Sequence, residues 1–115
     1  MHELGIAVAI LERVEREAAA HTHARPVRVG VRIGELSGVD QESLAFGFEA
    51  LVKNSALEPL TLEVEFCPRR YICRTCRAEF RVENYDLECP ECGSSETRFA
   101  GGDELDIAYI EVEDL

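Results

Sequence analysis

Basic residues are scarce in this sequence, which has 12 lysines and arginines against 23 aspartates and glutamates and a net charge of −11. Nucleic acids bind to basic faces, so this balance argues against a nucleic-acid partner. Long apolar runs are missing too, and none approaches the roughly 18 residues that a membrane-spanning helix needs. The composition therefore indicates a cytoplasmic protein without a membrane association, whose partner is another protein or a small ion.

Several catalytic and architectural signatures are absent as well. The sequence has no P-loop, dinucleotide-binding or Ser-His-Asp motif, so we expect no enzyme activity and assign any nucleotide hydrolysis to another protein. It has no repeats and no Gly/Ser linker, which predicts parts that are packed together or directly continuous. A chain of 115 residues with 46% hydrophobic content allows one modest core and a small metal-stabilised module.

What the sequence does have is two C-x-x-C motifs, formed by Cys73 and Cys76 and by Cys89 and Cys92. Two residues between thiolates let the backbone turn around one ion, and both motifs together complete a tetrahedral site with four sulfur ligands, which favours zinc. Iron in the same site, as in an electron carrier, and two disulfides are the alternatives. The odd number of cysteines and the lack of a recognisable secretory signal argue against disulfides.

Because protein ligands fill all four coordination positions, such a zinc site is structural rather than catalytic. Gly93 directly follows the second motif and suits the left-handed conformation that often closes such a turn. Arg77 stands in the matching place after the first motif and predicts a less regular turn there. Cys67 lies outside the pattern, and we interpret it as a free thiol.

The amino terminus carries a second candidate metal site. In Met1-His2-Glu3, the α-amine, the backbone nitrogen of His2 and its imidazole can close two chelate rings on one ion. Nitrogen donors in one plane suit Ni(II) or Cu(II), and the Glu3 carboxylate is placed to help. The alternative is a frayed terminus that binds nothing. The protein would then be a zinc-stapled adaptor that binds a partner protein with its acidic surface and never carries nickel. His21 and His23 could form a further site, but a solvated helix end is the simpler interpretation.

Apolar periodicity predicts two helices. From Glu3 to about Ala20, apolar residues recur at three- and four-residue steps, which is typical of an amphipathic helix. Asp40 is placed to cap a second helix from Gln41 to about Asn54. The recurring apolar residues are Leu4, Ala7, Val8, Leu11, Val14 and Ala18 in the first helix, and those expected to face inward in the second are Leu44, Phe48, Leu51 and Val52.

Alternating apolar and polar residues predict three strands, at Val27–Ile33, at Leu60–Phe66 and from about Glu104 to Glu113. In the last strand the apolar phase changes between Tyr109 and Ile110, which suggests a bulge or bend.

The order of these elements predicts an α+β fold, with two helices on a three-stranded sheet. Residues 1–66 and 101–115 would form this nickel-binding domain, and residues 67–100 an inserted four-cysteine zinc module of the zinc-ribbon kind. Both ends of the module connect directly to strands of one sheet, so a change in zinc geometry could be felt in the nickel domain.

Further short motifs accompany these sites along the whole chain. In chain order they are Met1-His2-Glu3, Ile33-Gly34-Glu35-Leu36-Ser37-Gly38-Val39, Phe46-Gly47-Phe48-Glu49, the paired C-x-x-C with Cys89-Pro90-Glu91-Cys92-Gly93, and Gly102-Asp103-Glu104-Leu105. In this order and together, they make the chain resemble the HypA/HybF family of hydrogenase nickel-incorporation proteins.

The resemblance implies a metallochaperone that helps to load Ni(II) into the large subunit of [NiFe]-hydrogenase, together with a nickel-binding accessory GTPase. It implies that Met1 and His2 hold nickel with Glu3 adjacent, and that the four cysteines hold a structural Zn(II). Asp40 matches an acidic family position, although helix capping explains it equally well. Gly5 stands where the family commonly has Ser or Ala. The sequence leaves open which enzyme is the target and whether urease accessory proteins are also partners.

Overall fold

The computed structural model describes residues 3–115, and the strands in that range form two three-stranded sheets, ordered β2-β1-β6 and β4-β3-β5. The molecule is elongated, with extents of 54 × 27 × 16 Å. Within the described range no helix is long and apolar enough to cross a membrane. The elements are α1 (Glu3–Ala20), β1 (Ala24–Gly34), a 3₁₀ turn (Glu35–Ser37), α2 (Gln41–Val52), β2 (Thr61–Cys67), β3 (Arg70–Cys73), β4 (Glu79–Arg81), β5 (Thr97–Gly101) and β6 (Leu105–Asp114).

The first sheet carries both helices on one face. Its central strand β1 pairs in parallel with β2 and antiparallel with β6. The helices pack against each other, α1 also contacts β1, and α2 also contacts β2. This arrangement confirms the predicted α+β fold of two helices on a three-stranded sheet. The division into domains at residues 67 and 100 stays a prediction.

The core lies between the helices and the first sheet. On α1, Ala7, Leu11 and Val14 are buried as the periodicity predicts. The buried face also includes Ile6 and Ile10, whereas Leu4 and Val8 are exposed. The side chain of Leu4 lies against Gly47 of α2 instead. The buried cluster consists of Ile6, Ala7, Ile10, Leu11, Val14, Val29, Val31, Ile33, Leu44, Phe48, Val52 and Leu60.

The second helix begins where the sequence predicts and ends slightly earlier. Asp40 caps its start, and the helix closes at Val52, two positions before the predicted Asn54. Leu44, Phe48 and Val52 are buried at four-residue steps along one face. The prediction was wrong for Leu51, which is 37% exposed because it falls on the neighbouring ridge of the helix.

The predicted change of phase in the last strand is a β-bulge. Gly30 of β1 pairs with Tyr109 and Val31 pairs with Ile107, so Ala108 is the extra residue of β6. The extra residue lets Ile107 and Ile110, three positions apart, both pack against the core. It leaves Tyr109 on the opposite face of the sheet, where its ring lies over Gly30.

The second sheet is small and has little core of its own. Its central strand β3 is antiparallel to β4 and β5. Tyr71 of β3 makes an edge-to-face contact with Phe99 at 5.7 Å and a tilted contact with Phe80 at 6.5 Å between ring centroids. Among hydrophobic residues between positions 68 and 100, only Cys73, Val82 and Cys89 are buried. Apolar burial alone therefore gives this sheet little stability. The cysteine pattern predicted a four-cysteine module here, but no pattern predicted its three strands.

Candidate metal centre

The four cysteines of the two C-x-x-C motifs come together beside the second sheet. Cys73 ends β3 and Cys76 follows in the next turn, while Cys89 and Cys92 lie between β4 and β5. Their Sγ atoms all lie within 4.8 Å of one another. The closest pairs are Cys73 with Cys92 at 3.5 Å and Cys76 with Cys89 at 3.6 Å.

This cluster fits a tetrahedral metal ion. With Zn–S bonds of about 2.3 Å, the sulfur atoms of a tetrahedral site lie about 3.8 Å apart. The observed separations of 3.5 Å and 3.6 Å are close to that value, so an ion needs only small side-chain adjustments. All four donors are thiolate sulfurs, a set that suits zinc or iron and leaves no coordination position for a substrate.

Two matching backbone turns position the sulfurs. In the first turn, the N–H of Arg77 donates to the carbonyl of Cys73 at 2.9 Å, and in the second the N–H of Gly93 donates to the carbonyl of Cys89 at 2.8 Å. The residue after each motif is left-handed, with φ 65° at Arg77 and 75° at Gly93. The expectation of a less regular first turn was therefore wrong, because the turn geometry imposes a glycine-like conformation on an arginine.

Hydrogen bonds within the first turn favour the thiolate of Cys73. The N–H of Cys76 donates to the Sγ of Cys73 at 3.4 Å. This backbone hydrogen bond is the main cause that lowers the pKa of the Cys73 thiol to about 6. Because metals bind the thiolate and not the thiol, the backbone prepares this residue as a ligand.

Cys67 lies apart from the cluster, at the end of β2, which agrees with its interpretation as a free thiol. Its Sγ is 3.7 Å from a carboxylate oxygen of Glu65. Burial, followed by the nearby charge of Glu104, raises the pKa of the Cys67 thiol. Cys67 is thus kept in the protonated, less reactive form.

The predicted terminal site falls partly outside the described residues. Met1 and His2 lie there, so the geometry of the site begins at Glu3. The N–H of Asp40 donates to Oε2 of Glu3 at 3.0 Å, and this hydrogen bond lowers the pKa of Glu3. Asp40 in turn accepts hydrogen bonds from the backbone N–H groups of Glu42 and Ser43. We call this contact the Glu3–Asp40 junction, where two carboxylates meet at the starts of α1 and α2.

The other candidate histidines are solvent-exposed. His21 directly follows α1 and His23 lies two positions further along the chain. The Nε2 of His21 is 3.8 Å from a carboxylate oxygen of Glu17, one turn earlier. This arrangement agrees with a solvated helix end.

Comparison with known proteins identifies the family. The profile described as "Hydrogenase/urease nickel incorporation, metallochaperone, hypA" matches residues 1–112. The chain belongs to the HypA family. The "Hydrogenase maturation factor HypA" of Azotobacter chroococcum is 40% identical over 114 residues, covering 98% of this chain and all of that protein. The factor of the same name from Roseiflexus sp. is 37% identical over 115 residues, covering 99% and 94%.

Solved structures show the same fold. The solution structure of the Ni metallochaperone HypA from Helicobacter pylori superposes with a TM-score of 0.65 at 23% identity, over the full length of both chains. A second structure, entitled "Solution structure of HypA protein", gives a TM-score of 0.69 at 23% identity and covers 98% and 97% of the two chains. The HypA fold thus extends over both sheets of this protein.

The four cysteines of this HypA-family protein were predictable from the sequence, whereas the residues that connect the two sheets were not. Glu35 and Arg69, 34 positions apart, are in contact between the 3₁₀ turn and the start of β3. The hydrogen bond between Glu3 and Asp40 was likewise unpredicted. Ion pairs between distant positions leave no periodic signal, and only the motif Ile33–Val39 marked the turn as a special segment.

Proposed function

We propose that this protein carries Ni(II) and delivers it during maturation of the large subunit of [NiFe]-hydrogenase. The observation that carries the proposal is the match to a nickel-incorporation family over residues 1–112, which includes Met1-His2-Glu3. The donors of that segment suit the square-planar geometry that Ni(II) prefers. A terminal chelate also suits a carrier, because few bonds must break when the ion is passed on.

In this proposal the nickel ligands are the α-amine of Met1, the backbone nitrogen and imidazole of His2, and groups of Glu3. Two helices, α1 and α2, begin beside this site, and their positive dipole ends oppose a cation. The carboxylates of Glu3 and Asp40 at the Glu3–Asp40 junction offset that charge. A deprotonated His2 amide would add further negative charge.

The second metal is a structural Zn(II) held by Cys73, Cys76, Cys89 and Cys92. Spacing, sulfur separations and the closed donor set support zinc at this position. When bound, the ion would supply the stability that apolar burial does not give to the second sheet. We assign it no role in holding nickel.

The partners in this proposal are a nickel-binding accessory GTPase and the hydrogenase large subunit, all in the cytoplasm. The absence of a P-loop in the sequence means that nucleotide hydrolysis would belong to the GTPase. The family description also names urease, so urease accessory proteins are a further proposed partner. We propose no enzymatic activity and no nucleic-acid partner.

The decisive experiment is calorimetric titration of untagged, zinc-loaded protein with Ni(II). We expect one-to-one binding that is lost in His2→Ala and in a variant with two residues added before Met1, because both changes break the chelate of α-amine and imidazole. His23→Ala removes an exposed histidine elsewhere and is the matched control, which should bind like the parent. Equal binding in all four proteins would place nickel at another site, whereas no binding to the parent would favour a zinc-stapled adaptor that carries no nickel.

A further inference from the structure

The two sheets are connected by a joint that centres on Arg69, between the end of β2 and the start of β3. Its backbone N–H donates to Oε1 of Glu35 at 3.0 Å, and its Nε lies 3.8 Å from Oε2 of the same carboxylate. Its carbonyl accepts a hydrogen bond from the N–H of Val82 at 3.0 Å. Arg69 therefore contacts the 3₁₀ turn of the first sheet and the segment that follows β4 in the second.

Gly102 closes the joint from the other side. Its carbonyl accepts a hydrogen bond from the N–H of Leu36 at 2.7 Å. A Cβ atom at Gly102 would lie 2.6 Å from the Cα of Arg69, and its φ of 124° is one that other residues rarely adopt. The turn, Gly102 and Arg69 are thus in close contact.

Tyr85 contacts Arg69 from the cysteine-bearing loop, four positions before Cys89. The guanidinium of Arg69 lies 5.4 Å from the centre of the Tyr85 ring. Tyr85 has φ 67° and Asn84 has φ 50°, a strained conformation for a bulky residue. Tyr85 is 86% exposed, so burial does not hold its side chain in place. The contact with Arg69 is the interaction that ties its ring to the joint.

The side chain of Arg69 is largely buried. The side chain is only 15% exposed, and its Nε is a buried donor with no hydrogen-bond acceptor among residues 3–115. Leaving a buried donor unpaired is unfavourable. A shift that shortens the 3.8 Å gap to Glu35 would pair it.

The same turn leads directly to the Glu3–Asp40 junction. Glu35 begins the turn, Gly38 reverses the chain with φ 75°, and Asp40 follows as the cap of α2. The N–H of Asp40 is the donor to Glu3. A displacement of Glu35 therefore moves a backbone segment whose far end, five positions away, holds Glu3.

We propose that Arg69 is the positioning residue that fixes the second sheet, with its four cysteines, against the turn that carries Glu35, and that it thereby sets the geometry of the Glu3–Asp40 junction. The Tyr85 ring, in the loop between β4 and β5, and the Glu35 carboxylate, in the 3₁₀ turn, both contact the guanidinium. The effect on nickel rests on the function proposed above, whereas the effect on the orientation of the sheets does not.

The test compares zinc-loaded parent protein with Arg69→Ala by residual dipolar couplings in solution. A single alignment tensor should describe both sheets of the parent. In Arg69→Ala the backbone hydrogen bonds from Arg69 to Glu35 and from Leu36 to Gly102 can still form. The side-chain contacts to Glu35 and Tyr85 are lost, so we expect the relative orientation of the sheets to change and a second tensor to be needed. Arg25→Ala is the matched control, since Arg25 forms an exposed ion pair with Glu113 within the first sheet. That variant should keep a single tensor.

The same spectra and a nickel titration test the connection to the junction. We expect the amide signal of Asp40 to shift in Arg69→Ala but not in Arg25→Ala, and the Ni(II) affinity to fall about threefold to tenfold. A residue that only stabilised the fold would change the unfolding midpoint without moving this signal. If Arg69→Ala does not fold, Tyr85→Ala and Glu35→Gln remove one contact each and should give smaller changes of the same kind.

A single tensor in all variants would overturn the positioning role. Separate tensors combined with an unchanged Asp40 signal and unchanged nickel affinity would overturn the connection to the junction. If the parent itself binds no Ni(II), the proposed function fails, while the dipolar couplings and the Asp40 signal still decide the role of Arg69.

Discussion

The ring of Tyr109 lies over Gly30 on the outer face of the first sheet. A Cβ atom at Gly30 would lie 2.1 Å from the ring of Tyr109. Burial is the main cause that raises the pKa of the Tyr109 hydroxyl, followed by its contact with Glu63. The phenol is therefore neutral at physiological pH. The φ of Gly30 is not positive, so other residues could adopt its backbone conformation. Glycine is needed at this position because the ring of Tyr109 leaves no space for a side chain.

Gly30→Ala should lower the free energy of unfolding by about 1–2 kcal/mol, because the added methyl group displaces a ring that lies at the surface and can move only in part. Gly5→Ala is the matched control. A Cβ at Gly5 meets nothing within 4 Å, and alanine is the better helix former, so this change should raise the free energy by up to about 1 kcal/mol. Urea unfolding of zinc-loaded protein measures both, and equal effects of the two changes would contradict the packing argument.

Among the elements, those with one buried face were predictable and those without one were not. Apolar residues pack against the core at regular intervals along α1, α2, β1 and β6. This periodicity is visible in the sequence and predicts these elements. The strands β3, β4 and β5 are only 3–5 residues long and bury little, so their pattern is too short to detect. Their order depends on the two cysteine turns, which the spacing did reveal.

The start of α2 gives a prediction for a single element. Asp40→Ala removes the side chain that accepts hydrogen bonds from the N–H groups of Glu42 and Ser43, and it should destabilise the protein by about 1 kcal/mol. Asp40→Asn keeps an acceptor and should restore most of the loss. Thermal unfolding of the three proteins is the measurement. A loss of equal size in both variants would show that the charge of Asp40, and not its capping, supports the helix.

For the molecule as a whole, the two sheets differ in what stabilises them. The first sheet shares a buried apolar cluster with both helices. The second has three buried hydrophobic residues between positions 68 and 100, and two of them are cysteines of the metal cluster. A structural zinc contributes on the order of 10 kcal/mol to folding in small modules, which would make the ion the main support of the second sheet.

Removal of zinc with a chelator should therefore unfold the second sheet while the first sheet and the helices persist. Amide hydrogen exchange read by NMR should show protection lost in β3 and β5 but kept in α1, α2 and β1. Adding Zn(II) back should restore the protection. Persistent protection of β3 in metal-free protein would show that the aromatic contacts of Tyr71 are sufficient to hold the sheet.

The order of the strands along the chain also has a consequence for how quickly the protein folds. In the first sheet β2 and β6 flank β1 on opposite sides, and residues 68–104 separate β2 from β6 along the chain. The edge strand β6 can therefore join β1 only after these residues have been synthesised and the two ends of the segment have come together. Closing a long flexible segment is entropically unfavourable and slows folding. An ion captured early by the four cysteines would shorten that segment before the last strand arrives, so the availability of metal would act on the rate of folding as well as on the finished molecule.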